Sequence, residues 1–598
     1  MTPRLYLTAL GLITTMSGAV QAVCDQTTTP IAQIQGAGSA STWVNQEVWV
    51  KGVVTADFRG PDGWSGFFIQ SHTRDSHDDT SEGLFVRDDQ ATQVLQAGDE
   101  VLIKGRVSEQ YEVTQLNPMQ SLVVCQSGQL LPPPVALQLP MDQSQLEAVE
   151  GMRVHLSDHV ITDVYSYLKY GEMTVSSQLL LSPTALYRPG PKVKQHQALL
   201  SRDRLIIDDG RMNQYPQPWV AGADGRTPVG AKNAIQMGQS VAATGVLHFA
   251  YGKYKLQPTE PLQFGEPLAN AQLVPPIPAG RLQLATFNVE NFFTTLDEKD
   301  ATCGPLRDFG CRGADSAAEF GRQLAKLVAV INTADPAVLG VQELENNATA
   351  SIQALVDGLN RAAGQRQWDF IDTGALGEDV IKVGLIYQPA RVKPVGAHAL
   401  LNAAADPDFL EHRNRVVVAQ TFSDPQNRMF NVATVHFKSK SCRDAEGLDL
   451  DQGDGQGCYN PTRVQVAGQL ARWLAADPTG QGAQATFIVG DFNSYQQEDP
   501  MVTLHELGFV NLAGQYMGPK NWTASFRGAV GSLDYVLANE AAQQRVKGLT
   551  QWHINSVAIH EFDYNMEPLG EDTARPQNFY QANPYASSDH DWVMVGFD

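Results

Sequence analysis

Polar and apolar residues alternate along Glu47-Val48-Trp49-Val50-Lys51-Gly52-Val53-Val54, as the two faces of a half-buried strand require. Segments 64–71, 82–87, 100–107 and 121–125 read the same way, separated by Gly- and Asp-rich turns. Five such strands in about 100 residues predict a small OB-like β-barrel over 24–128. Strand-and-turn patterning continues through 135–268, with Met152-Arg153-Val154-His155-Leu156 and 241–247 as its clearest pieces, and predicts an accessory β domain. Proline-rich joints at Leu130-Leu131-Pro132-Pro133-Pro134 and at 273–280 favour extended backbone and separate these two segments from each other and from the C-terminal half of the chain.

From 281 to 598 the pattern changes. Apolar strands (282–289, 337–341, 383–387, 430–436, 486–489 and 532–537) alternate with stretches of helical spacing (317–332, 351–362 and 462–475), which predicts a layered α/β fold with chemistry at strand ends. Polar residues come directly after the apolar runs: Phe287-Asn288-Val289-Glu290-Asn291, Gln342-Glu343, Val435-His436, Gly490-Asp491-Phe492-Asn493, Leu533-Asp534-Tyr535 and Ser588-Asp589-His590. A single buried polar group is ordinarily a satisfied hydrogen bond, but six at comparable positions point to one shared site. Carboxylate and amide oxygens with two histidines favour a hard divalent cation, Mg2+ or Mn2+, and proton transfer by imidazole.

Composition narrows the picture further. The chain has 598 residues, 43% of them hydrophobic, enough for several packed cores. Its 43 Lys and Arg face 65 Asp and Glu, a formal charge of −22, which excludes a protein coated in basic surface but not an enzyme with one locally basic groove. Arg4, the apolar run 5–17 and Val20-Gln21-Ala22 read as a cleaved export signal over 1–22, so the product is expected to be secreted, without a membrane span, and to act as a monomer. Six cysteines in an exported chain favour disulfides. Cys303 is near Cys311 and Cys442 near Cys458, leaving Cys24 for Cys125, although fifteen connectivities are formally possible. Lys438, Lys440 and Arg443, extended by Arg463 and Arg527, are candidates for a phosphate-tracking rim. The loop bearing Asp444, Glu446, Asp449, Asp451 and Asp454 is a candidate structural Ca2+ site, and Asp75, Asp78, Asp79 and Glu82 are a weaker one.

Residues 281–598 resemble the endonuclease/exonuclease/phosphatase superfamily, carrying Thr-Phe-Asn-Val-Glu-Asn, Gln-Glu, Gly-Asp-Phe-Asn-Ser, Leu-Asp-Tyr and Ser-Asp-His in its order. The resemblance implies the four-layered α/β sandwich of DNase I-like enzymes. The whole arrangement is similar to secreted bacterial nucleases that degrade extracellular DNA. It further implies that Glu343 is the principal metal ligand, helped by Asn288 and Asp589, and that His590 is the general base oriented by Asp534. Asp491 would position water, Asn493 would bond the phosphate, and His436 would donate to it. Around Ile381-Lys382-Val383 the chain lacks the family's carboxylate partner for the first histidine, and Asp379 is the nearest substitute. The same fold hosts phosphoesterases acting on phospholipid headgroups, which is the alternative enzyme. A non-catalytic nucleic-acid-binding surface module is the alternative from another class.

Overall fold

The computed structural model describes residues 23–266, 274–569 and 573–598, so the expected export signal lies outside the described residues. Strands Glu47–Phe58, Gly66–Gln70, Gly83–Arg87, Glu100–Gln110 and Val113–Gln126 close into a barrel in the order first, second, third, fifth, fourth. Alternation places Val48, Val50, Val54, Phe67, Ile69, Val101 and Ile103 inside it, with Ile31 and Ile34 of the helix Ile31–Gln35 joining that core. The segment expected to be a strand at 121–125 is the second half of the longer strand Val113–Gln126. The other face of the barrel wall is not free: Trp64, Phe68 and Phe85 pack into a core shared with the neighbouring β region.

That region forms a seven-stranded sheet in which Ser240–Ala250 pairs with Lys253–Pro258, Gln263–Phe264 and Arg153–Asp163. It also carries a helix the alternation pattern did not suggest, Pro191–Arg202, with Pro at its first turn.

The C-terminal half contains two six-stranded sheets. One runs Asp369–Phe370, Ile381–Tyr387, Val338–Glu345, Leu282–Phe292, Trp592–Phe597, Val546–Trp552. The other runs Lys393–Leu401, Val417–Ser423, Met429–His436, Thr486–Asp491, Asp534–Ala538, Val510–Asn511. The period-two pattern sorts their side chains. Leu284, Val338, Val383 and Val595 meet Val418, Phe430, Val489 and Val536 in one core shared by the two sheets. Alternate residues of the first sheet, Ala285, Phe287, Leu339 and Val341, share a core with Leu327 and Ile331 of helix Ala317–Ala334 and Leu355 and Leu359 of helix Ala350–Ala363. In the second sheet Ala433, Val435, Ile488 and Tyr535 share one with Val466 and Leu470 of helix Asn460–Ala475 and Met501 and Leu504 of helix Asp499–Glu506. Gly340 lets the sheets approach: a Cβ there would lie 2.5 Å from Val489 Cγ2 and 3.0 Å from Thr434 Oγ1.

The β region is packed against this half. Leu181 bridges to Val530, Met237 donates to the Val557 carbonyl at 3.0 Å, and Thr184 donates to Glu498 at 2.7 Å. Disulfides join Cys24 to Cys125, Cys303 to Cys311 and Cys442 to Cys458, and all six cysteines are used. Three disulfides suit an oxidising, extracellular setting. Among the described residues no helix is long and apolar enough to cross a membrane.

Candidate active site

Register builds half of the site. In the second sheet Val435 pairs with Gly490 and His436 with Asp491, while Asp491 pairs with Asp534 on its other side. Three of the expected site residues, on three adjacent strands, therefore stand in one row, His436 and Asp491 ending their strands and Asp534 beginning its own. In the first sheet Asn288 pairs with Gln342, and beyond that pair the register shifts. Glu290, Asn291 and Glu343 take positive φ values of 52°, 50° and 66°, so the backbone bulges at the position of Glu343. Gln342 joins the sheets beneath, accepting from Thr286 Oγ1 at 3.0 Å and donating to Thr434 Oγ1 at 3.1 Å.

Side chains from both sheets then meet. Asn288 Nδ2 lies 3.1 Å from Glu343 Oε1 and 3.4 Å from Asp491 Oδ2. Asn291 N–H donates to Glu343 Oε2 at 3.0 Å. His436 Nε2 is 3.3 Å from Asp491 Oδ2 and 4.0 Å from Glu343 Oε1. His590 Nδ1 is 2.7 Å from Asp534 Oδ2, and its Nε2 is 3.9 Å from Asp491 Oδ2. Asn493, held at φ 45°, donates through its backbone N–H to Asp491 Oδ1 at 2.7 Å and through Nδ2 to the Phe437 carbonyl at 3.1 Å. Asp589 is an exposed carboxylate beside Ser588, whose hydroxyl donates to the Asn288 carbonyl at 2.8 Å. All eight residues expected to carry metal binding and catalysis thus fall at the ends of the two sheets or, for Asp589 and His590, on the turn that leads into the strand Trp592–Phe597.

The electrostatics divide the carboxylates. Despite complete burial, Asp491 is held down to about 2, because His590 and His436 favour its ionised form and the Asn493 N–H bonds it. Burial pushes Asp534 up to about 6 even with His590 beside it. Burial favours the neutral form of His590, but Asp534, Asp589 and Asp491 outweigh it and hold the ring well above the usual histidine value. Asp534 and His590 therefore share a proton held on Nδ1, and a neutral ring presents a bare Nε2 toward Asp491.

Several supports were not expected from the sequence. Thr523 Oγ1 donates to Asp534 Oδ2 at 2.7 Å and accepts from the Asp534 N–H at 3.1 Å, fixing the carboxylate. Asp591 accepts from the Asn555 and Ser556 N–H groups at 2.9 and 3.0 Å and lies 2.9 Å from His553 Nδ1, organising the turn that carries His590. Asn555 Nδ2 donates to the His590 carbonyl at 2.6 Å. The Thr and the Asn gave no signal in the sequence, since neither sits at the end of an apolar run.

Other expectations need correction. Asp379 does not replace the missing partner of His436: its carboxylate takes the Arg415 guanidinium at 3.0 Å, and the buried His436 Nδ1 has no hydrogen-bond partner among the described residues. Arg463 is fully buried and donates to the carbonyls of Cys458 at 2.7 Å, Gln456 at 2.8 Å and Lys438 at 3.2 Å, so it holds the loop instead of lining a rim. Lys440 is paired with the buried Glu498 and lies over the Tyr495 ring. Lys438 is half-buried, 4.9 Å over the Tyr459 ring, whereas Arg443 and Arg527 are exposed. In the acidic loop Asp449 takes Arg413 and Thr462, Asp451 bonds the Gly453 N–H and Asp454 the Gln456 N–H, so these carboxylates serve the chain itself. In the barrel loop Asp75 bonds the His77 N–H and Glu82 bonds Arg74.

Residues 285–590 match the family described as the Endonuclease/Exonuclease/phosphatase family, and residues 143–266 match a domain of unknown function. No curated protein matches the chain. Similar solved structures include a mannosyl-6-phosphatase of Bacteroides thetaiotaomicron, 14% identical, covering 53% of this chain and 99% of its own, with a TM-score of 0.32. TDP2 of D. rerio complexed with single strand DNA product is 13% identical, covering 53% of this chain and 98% of its own, at a TM-score of 0.32. The human Nocturnin catalytic domain is 14% identical, covering 53% and 93%, at 0.30. A mainly β N-terminal region thus precedes the matched span, and by that match over half its length the chain belongs to the Endonuclease/Exonuclease/phosphatase family.

Proposed function

We propose that the protein is an exported, divalent-cation-dependent nuclease that hydrolyses phosphodiester bonds of DNA. Its C-terminal segment (281–598) is then the four-layered sandwich of DNase I-like enzymes, and 24–128 and 135–268 are an OB-like barrel and an accessory β domain. The observation that carries this reading is the row His436, Asp491 and Asp534 joined through Asn288 to Glu343, with His590 Nε2 turned toward Asp491.

The donor set fits a hard divalent cation. Glu343 and Asp589 offer carboxylate oxygens, Asn288 Nδ2 holds Glu343 while its Oδ1 accepts from the Glu290 N–H at 3.0 Å, and no thiolate is free. When bound there, Mg2+ or Mn2+ supplies positive charge to the scissile phosphate and offsets the carboxylates that keep His590 protonated. The side chains do the remainder. Asp534 accepts from His590 Nδ1–H and so fixes the tautomer that leaves Nε2 free to take a proton from the attacking water. Asp491 lies within reach of that water. His436 Nε2 and Asn493 Nδ2, both beside Asp491, would donate to the non-bridging phosphate oxygens as charge builds there. Of the five basic candidates, Arg443 and Arg527 remain as exposed cations for the flanking backbone.

A supercoiled plasmid incubated with Mg2+, with and without EDTA, tests the reading. Nicked circles that vanish in EDTA and with Glu343→Ala are expected. Undiminished cutting in EDTA, or by the variant, would overturn it. Phosphocholine release from sphingomyelin with intact DNA would favour lipid headgroups instead, and a gel shift without cleavage a binding module.

A further inference from the structure

Beside Asp589 the β region and the C-terminal half together enclose a cavity of ≈ 530 Å3. Its wall has two sources. The β region contributes Tyr165, on the turn after the strand Arg153–Asp163, and the C-terminal half contributes Phe526 and Arg527, at the tip of the hairpin Ala524–Phe526/Ala529–Gly531. The hairpin is not a loose appendage. Leu181 bridges to Val530, Ser182 N–H donates to the Val530 carbonyl at 2.8 Å, and Arg204 donates to the Arg527 carbonyl at 2.7 Å.

The two aromatic side chains lining this cavity are exposed where burial would be the ordinary outcome. Tyr165 is 73% and Phe526 65% exposed. Tyr165 is already stacked on His560, centroids 5.1 Å apart and planes 15° apart, which fixes one ring face and offers the other. The Arg527 guanidinium lies 5.1 Å over the Phe526 ring. Around them stand carboxylates, Asp163, Glu290, Asp563 and Asp589, so a run of phosphates is repelled from most of the cavity. A neutral planar ring is not, and Arg527 is placed to hold one adjoining phosphate.

We infer that this interdomain cavity is a nucleobase-stacking subsite, in which Tyr165 and Phe526 receive an unstacked base of the substrate next to the scissile phosphate. The inference rests on the proposed nuclease activity. Its consequence is that the β region takes part in substrate selection, and that single-stranded or frayed DNA, whose bases are free to leave the stack, is preferred over intact duplex.

The test compares two single-stranded oligonucleotides of equal length, one with bases and one abasic, on the full chain with Mg2+. Tyr165→Ala and Phe526→Ala should each raise KM for the base-bearing strand by ~5-fold or more, leaving its kcat and all kinetics on the abasic strand unchanged. Tyr165→Phe should behave as the unaltered protein, since stacking needs the ring and not the hydroxyl. Cleavage of both strands with no discrimination by the Ala variants overturns the subsite while the nuclease reading stands. Cleavage of neither strand by the unaltered protein while plasmid is still nicked overturns the subsite alone; plasmid left intact as well overturns both.

Discussion

A histidine that is to accept a proton at Nε2 must have its other nitrogen occupied, and here the occupant is itself held in place. Thr523 bonds Asp534 twice, through its hydroxyl to the carboxylate and from the Asp534 backbone to that same hydroxyl, so the carboxylate cannot rotate away from His590. Asp534→Asn keeps the shape but lets the amide donate to Nδ1, which favours the wrong tautomer, and kcat is expected to fall ~10^3-fold with a CD spectrum unchanged. Thr523→Val removes the support but not the pair, so a smaller loss of ~10-fold in kcat with KM intact is expected by steady-state kinetics. The two effects should not add in full in the double variant, because the Thr523 hydroxyl touches only Asp534 and the preceding Leu533 N–H. Asp534 and His590 were legible in the sequence because each lies in a motif of the family, Leu-Asp-Tyr and Ser-Asp-His, beside an apolar strand. Thr523 was not, because a hydroxyl in a turn is indistinguishable from a solvated one until the chain is folded. The same limit misassigned Arg463: a guanidinium satisfied by backbone carbonyls and one awaiting a phosphate have the same neighbours in sequence.

At the scale of elements, the loop between His436 and helix Asn460–Ala475 is held by three devices: the Cys442–Cys458 disulfide, the Lys440–Glu498 pair and the buried Arg463. Closing the 16-residue separation covalently is worth about 3 kcal/mol in the chain-entropy account. Arg463→Ala strands several buried carbonyls and is expected to cost ~3–5 kcal/mol, read as a lower urea midpoint, and Arg463→Lys should recover little because an ammonium lacks the planar fork. Arg443→Ala, by contrast, should leave the midpoint within ~0.5 kcal/mol and weaken DNA binding chiefly at low salt. Element types in the C-terminal half emerged from periodicity, but the edge strand Lys393–Leu401 and its neighbour Val417–Ser423 escaped it. The first is largely half-exposed or exposed, so its pattern resembles that of a loop, and only pairing with its neighbour makes it a strand.

At the scale of the molecule, the join between barrel and β region determines whether the N-terminal segments move as one with the active site. Its centre is His248, boxed by Trp64 at 4.7 Å, Phe68 at 5.3 Å and Phe85 at 5.5 Å, with Nδ1 lacking a hydrogen-bond partner among the described residues. Burial, reinforced by the nearby Lys255, pushes this ring down to about 3, so it is neutral in the folded protein at any ordinary pH. In the unfolded chain it titrates near the usual 6.5. The unfolded state therefore binds a proton that the folded state refuses. The stabilisation from this group is complete above about pH 6.5 and is lost progressively as pH falls toward 3. His248→Phe retains the ring packing and removes the proton site. Between pH 7 and pH 5 the unaltered protein should lose about 2 kcal/mol relative to the Phe variant, followed by the urea midpoint of tryptophan fluorescence, to which Trp64 reports directly. Parallel pH profiles for the two proteins would mean that water reaches the ring and that the barrel is less firmly seated than its packing indicates.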